Sequence, residues 1–348
     1  MKKNALGKTD TLVSELCLGS MTWGTQNTYE EGAEQIAFAL DHGVNFIDTA
    51  EMYPTTPMSE ETLGDTEVII GQWIAQTGRR KDVVLATKVT GNSGKAWMYG
   101  GQDITAEKIR ISVDRSLKRL QTDYIDLYQL HWPNRGSYHF RQNWTFDATG
   151  QDTSKAKDNI HEVLGELDAQ VKAGKVRHVG LSNESCWGTA QFLSIAETNS
   201  LPRVVSIQNE YNLLCRLYDL DLAELSHHEN VGLLAFSPLA AGMLTGKYMN
   251  SQMPDNSRRT LNSALGGRYT DTSAMVCEKY VLLAREHGVD PSQLALAFCL
   301  SRPFMASVII GATTMEQLKV NLAATQLTLT DELKEGIQAL YKAHPVPM

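Results

Sequence analysis

The chain has 348 residues, 42% of them hydrophobic, with a formal charge of −8 and a pI of about 5.6. That is ample material for a buried core, and the negative balance argues against nucleic acid or an anionic membrane surface as a partner. No apolar run follows Lys2 and Lys3 as a signal peptide would need, no stretch is long enough to span a bilayer, and Cys17, Cys186, Cys215, Cys277 and Cys299 form no CxxC pair. The expectation is a cytoplasmic protein with reduced thiols.

Residues 2–6 and 12–16 flank Gly7-Lys8-Thr9-Asp10-Thr11 and read as a small hairpin. A first buried strand over 16–21 ends in Gly19-Ser20-Met21. The spacing of Ile36, Ala37 and Leu40 predicts a helix over 30–42, stopped at His42-Gly43. The second strand, 44–48, ends on Asp48, and a helix follows over 62–77. The third, 83–88, ends on Lys88. The helix over 105–120 places Arg115, Lys118 and Arg119 in its last turns, where cations favour the dipole. The fourth strand, 124–131, ends on His131. Residues 132–158 are polar and aromatic without a clear period, and a loop of that length is usually functional or mobile. Helices over 161–173, 185–199 and 220–229 then alternate with strands over 176–182, 204–208 and 231–236. A second long loop, 237–270, precedes helices over 272–287 and 291–301, an eighth strand over 306–310, and helices over 314–324 and 331–343.

The strands are short, continuously apolar and each followed by a helix, which is the pattern of parallel strands buried on both faces. Eight such units over this length predict an α/β fold, a closed (β/α)8 TIM barrel with an N-terminal β-hairpin and extra helices in the C-terminal part. A doubly wound open sheet competes, but no strand-to-helix turn carries GxGxxG. No linker or composition shift divides the chain, so residues 1–348 read as one domain.

In such a barrel the reactive groups sit at the carboxyl ends of the strands. Asp48, Lys88 and His131 end three successive strands, and Tyr53 lies in the loop after Asp48. Singly, each has a plain explanation: a helix cap, a snorkelling lysine, a structural histidine. All four on neighbouring strand ends suit proton delivery to a carbonyl oxygen. A nearby ammonium should bring the tyrosine below its usual value of about 10, and Asp48 would hold Lys88 in place. His131 would donate a second hydrogen bond. The set lacks a reductant, so a bound hydride donor is implied.

These residues resemble the catalytic tetrad of the aldo-keto reductases. Asn45-Phe46-Ile47-Asp48-Thr49-Ala50-Glu51-Met52-Tyr53 is similar to one family signature, and Arg115-Ser116-Leu117-Lys118-Arg119-Leu120 with Asp123-Tyr124-Ile125-Asp126-Leu127 to another. Val179-Gly180-Leu181-Ser182-Asn183 resembles a third. The likeness covers nearly the whole chain. It is nearest to the bacterial Tas-type branch and more distant from the voltage-gated potassium channel β-subunits.

The resemblance implies NADP(H) bound extended across the rim. Ser182, Asn183 and Gln208 match the contacts to the nicotinamide carboxamide, and Phe236 the ring against the nicotinamide. Gly19, Ser20, Met21 and Gln26 match the loop under its ribose, with Asp48 beside them. Ser237, Leu239 and Gly242 belong to a small-residue loop whose amides suit a diphosphate, with Lys247 and either Arg258 or Arg259 as cations. Gly311, Thr313, Gln317 and Asn321 match the adenosine-phosphate segment. Gly311 and Gln317 replace the cations many members use for the 2′-phosphate, so NADP(H) is preferred with NAD(H) as the competitor.

A substrate pocket is expected from Trp23, Trp97, Trp132 and Tyr211, with Tyr138-His139-Phe140-Arg141 as a further lip. Aromatic walls around a polar oxygen site suit aldehydes and ketones of moderate size. The expected activity is their reduction, with Tyr53 as proton donor. The alternative is a redox-sensing subunit that binds NADP(H) tightly and turns over slowly. A metal-dependent hydrolase barrel is disfavoured, since no HxH pair occurs and His227-His228 falls on a helix.

Overall fold

The computed structural model describes residues 1–348. Strands β1 (Lys3–Ala5) and β2 (Leu12–Ser14) form an antiparallel hairpin. Its turn needs glycine: Gly7 has φ +60°, and a Cβ there would lie 2.9 Å from the Val205 carbonyl oxygen.

Eight further strands, all parallel, close into a barrel in chain order: β3 (Leu16–Gly19), β4 (Phe46–Asp48), β5 (Val84–Val89), β6 (Ile125–Leu130), β7 (Val176–Ser182), β8 (Val204–Glu210), β9 (Gly232–Phe236) and β10 (Met305–Ile310). β10 pairs back onto β3, Ile310 opposite Leu18. The expected (β/α)8 barrel is therefore present, and no helix is long and apolar enough to cross a membrane.

Side chains two apart on a strand share a face. Cys17, Phe46, Ala86, Leu127 and Leu234 point inward and pack with Leu6 and Val13 of the hairpin, which plugs the amino-terminal end. Two residues further on, the same faces carry Gly19, Asp48, Lys88, Gln129 and Phe236. One step up the barrel thus brings Asp48, Lys88 and Gln129 in above an apolar layer.

The outer layer consists of α1 (Tyr29–Asp41), α2 (Asp65–Thr77), α3 (Ala106–Leu120), α4 (Thr153–Lys172), α5 (Cys186–Thr198), α6 (Asp221–Glu229), α7 (Arg258–Leu261), α8 (Asp271–Glu286), α9 (Pro291–Leu300), α10 (Met315–Ala323) and α11 (Asp331–Ala343). Thr28 and Glu31 make a capping box at α1, and Thr105 caps α3 through the Lys108 amide. The helix expected over 161–173 begins instead at Thr153. Asp152 caps it by accepting from the Ser154 and Lys155 amides, while burial starts only at Ile160. Its first two turns face solvent, so they carry no apolar period, and the loop before it shortens to 131–152.

Candidate active site

Lys88 is fully buried on β5, and its three ammonium protons are all used. Nζ donates to Asp48 Oδ2 at 2.7 Å, to Asp48 Oδ1 at 2.9 Å and to the Thr49 carbonyl at 2.6 Å. Asp48 Oδ1 also accepts from Gln208 Nε2 at 2.7 Å and Gln129 Nε2 at 3.3 Å. An isolated charge here would cost many kcal/mol; the pair survives because every ammonium proton and both carboxylate oxygens have a partner. Gln129 did not stand out in the sequence. The available signal was its polarity inside the otherwise apolar run of β6.

Tyr53 follows in the β4 loop, its ring centroid 5.0 Å from Lys88 Nζ and 5.9 Å from the His131 ring. Burial raises the Tyr53 phenol above its usual value, and the Lys88 ammonium only partly offsets this. The expected net lowering is thus corrected: desolvation outweighs the ammonium, and the proton stays on Tyr53. His131 is 8% exposed and held well below the usual histidine range by burial and by Lys88, so the imidazole is neutral. Its Nδ1 has no partner in the protein.

The residues expected at the carboxamide end lie beside these groups. Ser182 Oγ donates to the Gln208 carbonyl at 2.8 Å, and Asn183 Nδ2 to the His131 carbonyl at 2.9 Å. Asn183 Oδ1 is buried without a partner, an acceptor free for a ligand amide. Gln208 spends its amide on Asp48 and on Gln129 Oε1 at 3.2 Å. Ser20 Oγ donates to the Asp48 carbonyl at 2.8 Å, while Gly19, Met21 and Gln26 are part-exposed. Phe236 and Ser237 end β9 half-buried, Ser237 at φ +50°.

Beyond Leu239, Ala241 at φ +57° and Gly242 at φ +93° turn the chain so that Lys247 folds back over it. A Cβ on Gly242 would meet Lys247 Cε at 2.9 Å. Lys247 and Arg258 make no ion pair. Burial, and then Arg258, lowers the Lys247 ammonium; burial, and then Arg268, lowers Arg258 to about 10. Two neighbouring cations, neither of them in an ion pair, fit a diphosphate. Arg259 is committed elsewhere, to the Ser251 and Gln252 carbonyls and over the Tyr269 ring at 3.6 Å. That leaves Arg258 as the free one of the two. At the far end, Gln317 Oε1 accepts from the Thr313 amide at 3.0 Å, Asn321 Nδ2 donates to the Gly311 carbonyl at 3.3 Å, and Gly311 is open.

Trp97 and Trp132 pack with Tyr53 around Ala50, Met52 and Met98 at the rim. Trp23 and Tyr211 do not line it. Trp23 is fully buried, with its indole donating to Gln35 Oε1 at 3.1 Å. Tyr211 is equally buried, stacked on Phe298 at 5.8 Å and bonded to Asp219 Oδ1 at 2.6 Å. Both aromatics satisfy their polar atoms inside the helical layer, which removes them from the expected pocket.

Glu210, at the end of β8, joins the two long loops. Its oxygens accept from Arg268 Nε at 2.6 Å and Nη2 at 2.9 Å, and from Arg141 Nη1 at 2.8 Å. Arg141 belongs to the first loop and Arg268 to the second. Of the expected lip, Arg141 is therefore committed to this clasp, and His139 is buried against the Glu184 carbonyl at 3.1 Å.

A profile described as the aldo/keto reductase family matches residues 15–342. Protein tas of Escherichia coli (strain K12) is 41% identical over 341 residues, 96% of this chain and 96% of that protein. Norsolorinic acid reductase B of Aspergillus parasiticus is 30% identical, over 96% of this chain and 82% of that protein. A probable voltage-gated potassium channel subunit beta of Arabidopsis thaliana is 30% identical over 99% and 98%.

Proposed function

Because the chain belongs to the aldo/keto reductase family, we propose that it reduces aldehydes or ketones with NADP(H), Tyr53 acting as proton donor. The observation that carries this reading is one rim holding a buried Lys88–Asp48 pair, a protonated Tyr53 and a neutral His131. The reductase named among the relatives supports it.

When bound, the nicotinamide supplies a hydride to the carbonyl carbon. The Tyr53 hydroxyl gives its proton to the carbonyl oxygen as negative charge builds there. Lys88 stabilises the phenolate left behind, and Asp48 keeps the ammonium in place without letting it leave the barrel. Neutral His131 offers a ring N–H to the same oxygen. Ser182, Asn183 and Gln208 would hold the carboxamide, Phe236 would cover the ring, and Gly19, Ser20, Met21 and Gln26 would support the ribose. Ser237, Leu239, Gly242, Lys247 and Arg258 would take the diphosphate. Gly311, Thr313, Gln317 and Asn321 would take the adenosine end. Trp97 and Trp132 would confine a small carbonyl compound.

The test is NADPH consumption against a panel of aldehydes and ketones, with Tyr53→Phe beside the wild type. A positioned general acid contributes roughly 10²–10⁴-fold, so kcat should fall by that factor while the dinucleotide Kd stays within twofold. Undiminished turnover in Tyr53→Phe refutes the assignment. Kd values for NADPH and NADH, measured in parallel, test the cofactor preference; tighter NADH binding overturns it.

A further inference from the structure

A cavity of about 390 Å³ lies outside the barrel wall, where α3, α4 and α5 meet the strand ends of β6 and β7. Its floor is apolar: Leu130, Ile160, Val163, Leu181 and Phe192. Leu130 follows the inward Gln129 on β6 and so points outward, and Leu181 and Ser182 both border the cavity from the end of β7. None of Asp48, Tyr53, Lys88 or His131 lines it. Trp132 does, and its ring also sits 4.9 Å from His131. Trp132, like Ser182, therefore borders both spaces.

The mouth is a hydrogen-bonded collar. Asn134 Nδ2 donates to the Ile104 carbonyl and to Asn159 Oδ1, each at 2.9 Å, and Asn159 Nδ2 donates to the same carbonyl at 3.0 Å. Gln151 Nε2 holds the Arg135 carbonyl at 2.8 Å. Asn92 links the collar to the shared wall, giving its amide to Asp103 at 2.8 Å and taking the Trp132 N–H at 2.9 Å. These bonds fix the opening. Of the charged residues around it, Arg135 pairs with Glu184, Lys155 lies 3.9 Å from Asp152, and Asp103 faces the Lys108 ammonium. The lining is therefore charge-balanced and offers an anion no free cation.

We propose that this cavity is a second ligand site. It takes a neutral, mainly aromatic or aliphatic molecule of about ten to fifteen non-hydrogen atoms, with one polar group at the collar. Occupancy fixes the Trp132 indole and so alters how the rim accepts its carbonyl substrate. That coupling rests on the reductase reading, whereas binding does not.

The probe is 2-naphthol, titrated by saturation-transfer difference NMR. Ala156 lines the mouth from a part-exposed position on α4, so Ala156→Trp fills the opening without entering the core. The expected results are saturable binding to the wild type, at least tenfold weaker binding to Ala156→Trp, and no displacement by saturating NADPH. Nuclear Overhauser contacts from the naphthol ring to Val163 and Phe192, which line the cavity and not the rim, locate the site in the wild type, whatever the variant's stability. Equal binding by Ala156→Trp, displacement by NADPH, contacts that omit Val163 and Phe192, or no binding at millimolar probe overturns the proposal. If kcat and KM prove unmeasurable with every carbonyl, the reductase reading fails while these binding results stand or fall alone.

Discussion

Replacing Glu210 by glutamine tests how the two rim loops are held. The carboxylate is 8% exposed, Arg268 is 8% exposed and Arg141 17% exposed, so solvent screens little of their attraction. Three charge-assisted bonds converge on two oxygens. Glutamine keeps one acceptor and turns an amide toward a guanidinium, leaving buried donors unpaired. Breaking a buried pair in this way costs about 3–5 kcal/mol. Taking about 3 kcal/mol, local opening should become about two orders of magnitude more frequent. Hydrogen exchange read by mass spectrometry should therefore lose protection in residues 133–152 and 237–270 together, although the two segments are far apart in sequence. Burial opposes ionisation of Glu210, but Arg268 and Arg141 outweigh it and hold the carboxyl below its ordinary value. A depressed carboxylate stabilises above the unfolded value of about 4.3 and loses that contribution as pH falls through the folded one. The wild-type loops should stay clasped at pH 5 and loosen only in stronger acid, while Glu210→Gln shows no such acid step. Loss of protection in one loop alone, or a change below about threefold, refutes the clasp.

Asp48→Asn leaves the Lys88 ammonium buried beside a neutral amide; thermal melting should show a loss of about 3–5 kcal/mol together with lost turnover, and an unchanged melting temperature contradicts the pairing. Burial holds His131 well below the usual range and His139 down to about 4. Both take a proton on unfolding but not when folded, so stability should fall by up to about 1.4 kcal/mol per pH unit for each as pH drops below about 6.5. Their imidazole NMR shifts should stay flat between pH 8 and 6; a midpoint near 6.5 for either ring counts against its burial as neutral. Lys247→Met and Arg258→Met should each raise the dinucleotide Kd about tenfold and reduce its salt dependence, whereas Arg259→Met should leave both nearly unchanged. Similar effects from Arg258 and Arg259 would undo the distinction drawn between them.

The barrel was legible because its signals are local. A buried parallel strand announces itself in four to seven consecutive residues, and a polar residue at its end stands out against them. The groups Asp48, Tyr53, Lys88 and His131 could thus be named from strand ends alone, and the structure places all four on adjacent elements. Boundaries slipped where exposure hides the period, as in the first two turns of α4. What could not be read were the partners of buried polar groups. Gln129 and Asp48 are 81 residues apart, Glu210 lies 69 residues from Arg141 and 58 from Arg268, and Arg258 and Arg259 are adjacent yet differently used. Trp23 and Tyr211 were expected at the rim and went to the core, because whether an aromatic near a strand end faces the ligand depends on which helix packs over it. The sequence determined which layer each strand residue joins, since a two-residue period follows from backbone geometry alone. Only closure of the barrel decided which distant groups meet there, because a buried donor or acceptor must find its partner among whatever the fold brings within about 3 Å.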